Sequence, residues 1–527
     1  MKMEVSVRQP LTEAREKADA AVVARARERI EEISANAVYR DRRLSLLTDL
    51  YQLTMMYGQY RQGQDGQRVV FDLFYRSNPC GNGYVIAAGL EQVVWYLHNL
   101  RFTEEDIAYL RSLQLFDEDF LNRLRGLRFT GDLYAVPEGT IVFPNEPLLR
   151  FEGPIFELQF VESAVLSFIN HQSLIATKAQ RIVDAAQTDR RHPGAKVLEM
   201  GLRRAQNADA AIFGARAAFI GGCAATSNLL AGQAYGIPVV GTMAHSWIQS
   251  FPSELDAFRA YVDTFPDQAI LLVDTYDVLQ SGVPNAIQIA GELAAKGKRL
   301  LAIRIDSGDL AYLSKRARAM LDEAGLQDVG IIASSDLDER TIRELILQEA
   351  EITDWGVGTN LITSSGCPAL GAVYKLVAQE ANGYMVPKIK VSENPVKITN
   401  PGRKQLLRLY VQGYASADLI ALADESYTAN RPLELFDPVH TYKRKVLREY
   451  EIESLLTPIY LNGELVYELP DIRAIRRRVE DNISRFSSEV LRPVNPHIYH
   501  VDLSQKLWDL KQQLLRAWRP ERMRGPE

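Results

Sequence analysis

Between about residues 195 and 357 the chain alternates short, unbroken apolar runs with amphipathic stretches. The runs fall at 196–200, 237–240, 269–273, 300–305, 329–333 and 354–357, and helical patterns fill 285–296, 311–324 and 339–349. Apolar runs without polar alternation predict strands buried on both faces, and helices between them make parallel βα units. Such an array forms a barrel or a doubly wound sheet. Polar clusters just after several strand ends favour the barrel, because the active site of a barrel is assembled at that end.

The flanks have a different texture. Residues 46–60 read as a helix closed by Gly63 and Gly66, 69–75 as a strand, and 80–125 as helical again. From 133 to 155, Pro137, Gly139, Pro144, Pro147, Gly153 and Pro154 punctuate short β-branched runs, the pattern of a small β structure. A long amphipathic stretch covers 156–186, strands and turns return beyond about Tyr374, and 503–518 closes as a helix. Residues 12–34 combine helix-forming composition with mixed charge and read as a solvated helix.

Composition narrows the class. With 527 residues, 46% hydrophobic and 24% charged, the chain can bury a large core and lies outside the composition of disorder. Its length suits two or three domains, one of them a barrel of roughly 250 residues. A balance of 61 basic against 67 acidic residues leaves a net charge of -6, which removes the electrostatic attraction behind non-specific nucleic-acid binding. Residues 1–43 hold no unbroken apolar stretch, so neither a secretory signal nor a membrane span is expected. Cys80, Cys223 and Cys367 have neither paired nor metal-ligand spacing and read as reduced thiols of a cytoplasmic protein.

Four polar clusters follow the expected barrel strands. Glu199 to Gln206 carries Arg203 and Arg204, which suit bidentate capture of an anion and equally suit surface ion pairs. Gly241-Thr242-Met243-Ala244-His245-Ser246 puts a histidine directly after a strand, where a helix N-terminus favours negative charge; position alone fits a hydrogen-bonding histidine more readily than a nucleophile. Asp274 and Asp277 follow the third run and suit orienting an imidazole or holding magnesium. Arg304, Asp306 and Asp309 surround Gly308 in a tight turn, readable either as a site or as a turn with a helix cap. Gly356, Gly358 and Thr359 offer a backbone that a phosphate can approach closely. Recurrence of these groups along one βα array lets them converge on one mouth.

In this order, the segments Leu46-Leu47-Thr48-Asp49-Leu50-Tyr51-Gln52, Gly201 to Gln206, Gly241 to Ser246, Arg304 to Leu310, and Gly358-Thr359 with Tyr374-Lys375-Leu376 resemble the nicotinate phosphoribosyltransferase family, from about Leu44 to Val377. The resemblance implies an α/β fold: an irregular parallel α/β barrel plus a β-rich α+β domain formed by the N- and C-terminal regions. The expected division is a charged leader over 1–43, an N-terminal α+β domain with its linking helix over 44–194, the barrel over 195–375, and over 376–527 a region completing the β-rich domain.

The implied reaction joins nicotinate and phosphoribosyl pyrophosphate into nicotinate mononucleotide and pyrophosphate, a salvage step toward NAD. It is coupled to ATP hydrolysis through a phosphohistidine, with magnesium as cofactor and a homodimer sharing its sites. Carried over by position, His245 is the phosphorylated residue. Tyr51, reaching across the dimer interface, and Thr242 belong to the nicotinate site, Arg304 to the base or phosphoribosyl site, and Gly358 and Thr359 to the 5-phosphate. Asp306 is assigned to the ribose hydroxyls, Asp277 to orienting His245 or magnesium, and Arg203 to substrate binding; no metal ligand is assigned. Residues 221–228 contain no acid to accept an amide N–H, which favours nicotinate over nicotinamide, although relatives carry an aspartate there. The competing expectations are a nicotinamide or quinolinate phosphoribosyltransferase and a catalytically silent nucleotide-binding relative.

Overall fold

A run such as Ile-Leu-Leu or Ala-Ile-Arg-Ile has too few polar positions to leave one strand face in water, so its stable home is the inside of an α/β layer. The computed structural model, which describes residues 9–10 and 19–517, bears this out for Ile175–Pro368, one of two compact units into which the chain divides. Its six strands run in the order Ala225–Thr226, Lys196–Glu199, Asp354–Val357, Gly330–Ser335, Ala302–Ile305 and Ile270–Leu272, every pair parallel. The sheet curls into a half-barrel. Val197, Leu271, Ile303, Ile331 and Val357 are all buried, and helices Ala208–Ile220, Val283–Ala295, Leu310–Glu323 and Glu339–Leu347 supply the connections.

Two details differ from the expected strands. The run at 237–240 makes only a single parallel bridge, Val239 to Thr226. Pro238 there lacks a backbone N–H and contributes only its carbonyl, which accepts from the Thr226 amide at 3.0 Å. Conversely, the two-residue strand Ala225–Thr226 is too short to show a run.

The second unit comprises Met1–Leu174 with Ala369–Glu527. Its eight-stranded antiparallel sheet interleaves the two ends of the chain: Arg68–Phe74 lies between Val373–Ala381 and Leu149–Pro154, and Asp132–Ala135 pairs with Thr457–Leu461. A four-stranded sheet contains the hairpin Lys404–Val411 and Tyr414–Leu422, turned by Gln412 and Gly413 at φ 52° and 82°, the left-handed geometry of a tight hairpin turn. The β-rich unit from both flanks is therefore present. The boundary between the units falls inside helix Glu162–Ala186.

The leader is not a solvated helix. Ala20–Ala35 buries Ala26, Ile30 and Ile33 along one stripe, and Arg25 and Arg27 pair with Glu468 and Glu464. Just beyond it, Tyr39 stacks on Trp95 at 4.9 Å and its hydroxyl donates to Glu91 at 3.1 Å. Heavy charge on the exposed face masks this apolar stripe in the sequence. The leader positions 12–18 and Trp518 at the expected end of the last helix lie outside the described residues. Cys223 is a buried free thiol, whereas Cys80 and Cys367 are not free, which corrects the expectation of three reduced thiols. Among the described residues no helix is long and apolar enough to cross a membrane.

Candidate active site

The strand ends of the half-barrel and the loops that follow most of them line a cavity of about 610 Å³. Its lining includes Arg203, Thr242, His245, Arg304, Asp306, Gly358 and Thr359, so seven of the nine residues singled out from the sequence meet in one place. The other two, Asp277 and Tyr51, do not line it.

Arg304 is the central group. Strand Ala302–Ile305 carries it at an inward-facing position, and its guanidinium donates three ways: Nε to Ser334 Oγ at 2.8 Å, Nη1 to Thr242 Oγ1 at 3.1 Å, and Nη2 to Asp306 Oδ1 at 2.7 Å. The Ser334 hydroxyl also hydrogen-bonds Asp306 Oδ1. Burial pushes the Asp306 carboxyl up, but the Ser334 hydroxyl and the Arg304 charge outweigh it and hold the group below its usual range. The carboxylate therefore stays ionised at neutral pH.

His245 begins the short helix His245–Gln249. Its Nδ1 hydrogen-bonds Thr275 Oγ1 at 3.1 Å, and its Nε2 lies 3.9 Å from Asp306 Oδ2. A threonine and Asp306, rather than Asp277, are thus the neighbours that orient the ring. Asp277 caps the following helical turn, accepting from the Leu279 and Gln280 amides at 2.9 and 2.8 Å. The reason is its distance past the strand end: by position 277 the chain has turned away into the next helix. Asp274, nearer the strand, accepts from the Asp306 amide at 3.0 Å and from Ser307 Oγ at 2.6 Å, bracing the loop that carries Asp306.

The turn after Arg304 holds both anticipated functions, one in each acid. Asp306 faces the cavity, while Asp309 caps helix Leu310–Glu323 by accepting from the Tyr312 amide at 2.9 Å. Gly308 makes the turn at φ 84°. Arg203 and Arg204, on the turn Leu202–Arg204, make no ion pair with any described residue, leaving two free cations at the rim. Beneath them, buried Glu199 accepts from the Gly201 amide and the Thr226 hydroxyl, and burial pushes its carboxyl up. Across the cavity a Cβ on Gly358 would approach the Met200 carbonyl to 3.2 Å, so glycine keeps that wall open.

Tyr51 sits on the first turn of Leu50–Arg61 in the β-rich unit, half exposed, with burial first and then Glu162 and Asp49 pushing its phenol up. Leu47, Leu50 and Met55 are exposed beside it. The residues passed over in the sequence are Ser334, Ser335 and Asp336, all lining the cavity. They follow the apolar run at 329–333 as the other clusters follow theirs, so the same positional rule would have found them.

The cavity thus combines an ionised carboxylate, a braced guanidinium, unpaired cations and a histidine, a set suited to anionic substrates that develop positive charge between their anionic groups. Among the described residues no three His, Cys, Asp or Glu side chains converge to hold a metal ion. Comparison with known proteins agrees with this chemistry. The nicotinate phosphoribosyltransferase N-terminal domain matches residues 46–170, the nicotinate phosphoribosyltransferase family 195–406, and its C-terminal domain 403–511. A nicotinate phosphoribosyltransferase of Bacillus subtilis is 48% identical over 479 residues, covering 90% of this chain and 96% of the relative. One from Caenorhabditis elegans is 36% identical, covering 88% and 92%. The crystal structure of human nicotinic acid phosphoribosyltransferase superposes with a TM-score of 0.78 at 31% identity, covering 89% of this chain and all of that one. On sequence, fold and the matched extent of both, the chain belongs to the nicotinate phosphoribosyltransferase family.

Proposed function

We propose that the protein joins nicotinate to 5-phosphoribosyl 1-pyrophosphate, giving nicotinate mononucleotide and pyrophosphate, and couples this salvage step toward NAD to ATP hydrolysis through a phosphohistidine at His245. The observation that carries the reading is the Arg304–Asp306 pair beside His245 at the strand ends of the half-barrel. The near-complete overlap with named relatives supports the reaction itself.

Breaking the ribose C1 bond to pyrophosphate builds positive charge on the sugar and negative charge on the leaving group. Fixed charges of opposite sign at those two places lower the barrier without having to reorganise. Asp306, held ionised with Oδ2 free of hydrogen bonds, serves the ribose. Arg203 serves an anionic group, and Gly358 and Thr359 line the wall for the 5-phosphate. Arg304 has five N–H donors, of which three are engaged, so it keeps capacity for the nicotinate carboxylate while Thr242 fixes its plane. Preference for the acid over the amide has a physical basis: the spare N–H donors of Arg304 can pair with both oxygens of a carboxylate, whereas an amide offers one oxygen and a group that is itself a donor.

Magnesium binds with few protein ligands and substrate phosphates. An ion carried in on the pyrophosphate, which itself supplies most of the ligands, would neutralise charge on the leaving group. Phosphorylating His245 would add about -1.5 to -2 charges beside Thr275 and Asp306 and reset the affinity of the site. A homodimer would cover the exposed apolar face of Leu47, Leu50, Tyr51 and Met55 and bring the Tyr51 ring to a neighbouring site, where stacking on the pyridine contributes about 0.5–1.5 kcal/mol. The proposed setting is the cytoplasm.

A turnover assay with nicotinate, phosphoribosyl pyrophosphate, magnesium and ATP tests the reading, following mononucleotide and ADP together. Formation of both is expected, with nicotinamide and quinolinate inactive. No product from any of the three bases would leave a silent binding protein as the better description.

A further inference from the structure

We infer that Ser334 is a positioning residue for the reaction, a hydroxyl that sets the aim of Asp306. The inference rests on the reading of Arg304 and Asp306 as substrate contacts given above. Ser334 lies at the end of strand Gly330–Ser335 and is almost fully buried, 4% exposed, with its hydroxyl at the cavity wall.

The direction of its hydrogen bonds follows from chemistry alone. A guanidinium has no acceptor, so Arg304 Nε must donate to Ser334 Oγ. The single hydroxyl proton is then left for Asp306 Oδ1, which also accepts a hydrogen bond from Arg304 Nη2. Oδ1 is thereby occupied twice, and Oδ2 is the oxygen turned toward His245, at 3.9 Å. Ser334 fixes which carboxylate oxygen is spent on scaffolding and which is presented to substrate. Its donation also favours the ionised form of Asp306, because a proton added to that carboxyl would compete with the bond.

The neighbouring strand has made room for this arrangement. A Cβ at Gly356 would lie 3.3 Å from Ser334 Cβ and 2.9 Å from Met200 Sδ, so a larger residue there would press on the serine. Asp274 holds the Asp306 backbone from the other side. Backbone and side chain of Asp306 are therefore each held by a separate group, and Ser334 is the one that acts on its charge.

The test compares Ser334→Ala and Ser334→Thr with wild type, using Asp306→Asn as reference. In Ser334→Ala the KM for phosphoribosyl pyrophosphate should rise about tenfold or more, the scale of a lost hydrogen bond to a charged group, with a smaller change in kcat. The acid limb of kcat/KM should move to higher pH, since Asp306 loses a group that holds its pKa down. Ser334→Thr keeps the hydroxyl and should keep the wild-type acid limb. If Ser334→Ala leaves KM within twofold and the acid limb in place while Asp306→Asn is impaired, the inference fails alone. Equal losses in both serine variants with an unmoved limb also contradict it, because they mark a purely steric role. If Asp306→Asn is itself unimpaired, the site reading fails and takes this inference with it.

Discussion

The two units of this protein each contain an Arg–Asp pair tied by a hydroxyl, and the pairs are put to opposite uses. In the β-rich unit Arg408 Nη2 lies 2.6 Å from Asp418 Oδ2, and the Tyr499 hydroxyl donates to Asp418 Oδ1 at 2.9 Å. In the half-barrel Arg304 lies 2.7 Å from Asp306, and Ser334 supplies the hydroxyl. The parts are alike, but the Arg408–Asp418 pair is wholly inaccessible, whereas the side chains of Arg304 and Asp306 are 14% and 33% exposed to a cavity. Phe143 and Phe486 enclose Arg408, and the same Nη2 also donates inward to the Ile141 carbonyl at 2.8 Å. A buried ion pair with no open side only joins its neighbours. The same pair at a strand end, with spare donors and an open face, can act on a ligand.

This contrast can be broken at either end. The largest effect on folding is expected from Asp418→Ala, which leaves Arg408 charged and unpaired in the core and should cost about 3–5 kcal/mol by denaturant unfolding. Specific activity of the folded fraction should be little changed. Asp306→Asn should do the reverse, lowering kcat/KM by about 10²–10³, comparable to removing one preorganised charge-stabilising group, with a thermal midpoint within a few degrees of wild type. Thr275→Val removes the one hydrogen bond to His245 Nδ1 and should reduce ATP-stimulated turnover by roughly fivefold, near 1 kcal/mol. Smallest for activity is Asp277→Ala, which loses a helix cap and should cost about 1 kcal/mol of stability while sparing kcat/KM. A large kinetic defect in that variant would restore Asp277 to the catalytic group.

Much of the half-barrel was legible because fully buried strands must be unbroken apolar runs. The bridge at Val239 and the strand at Ala225–Thr226 were not, since two residues make no pattern and Pro238 spoils a run for pairing without spoiling its hydropathy. Within the site, the rule that polar residues at or just past a strand end face the mouth located Arg304, Asp306 and His245. It could not tell how many residues past the end still point inward. Thr275 does so and Asp277 does not, because a capping carboxylate and a catalytic one look identical in sequence. Asp306 and Asp309 show the same ambiguity resolved one way each. The docked leader was missed for a different reason: Ala26, Ile30 and Ile33 form a narrow stripe diluted by six charged residues from Arg25 to Glu32, and only the packed surface reveals it.

The central claim is that His245 carries the phosphoryl group that links ATP to the cavity. Mass spectrometry under non-acidic conditions after incubation with ATP and magnesium tests it directly, comparing wild type with His245→Ala. An acid-labile phosphate on His245 in the wild type, with none in the variant and no ATP stimulation of its turnover, is the predicted result. Phosphate on another residue, or full ATP stimulation in His245→Ala, would contradict the account.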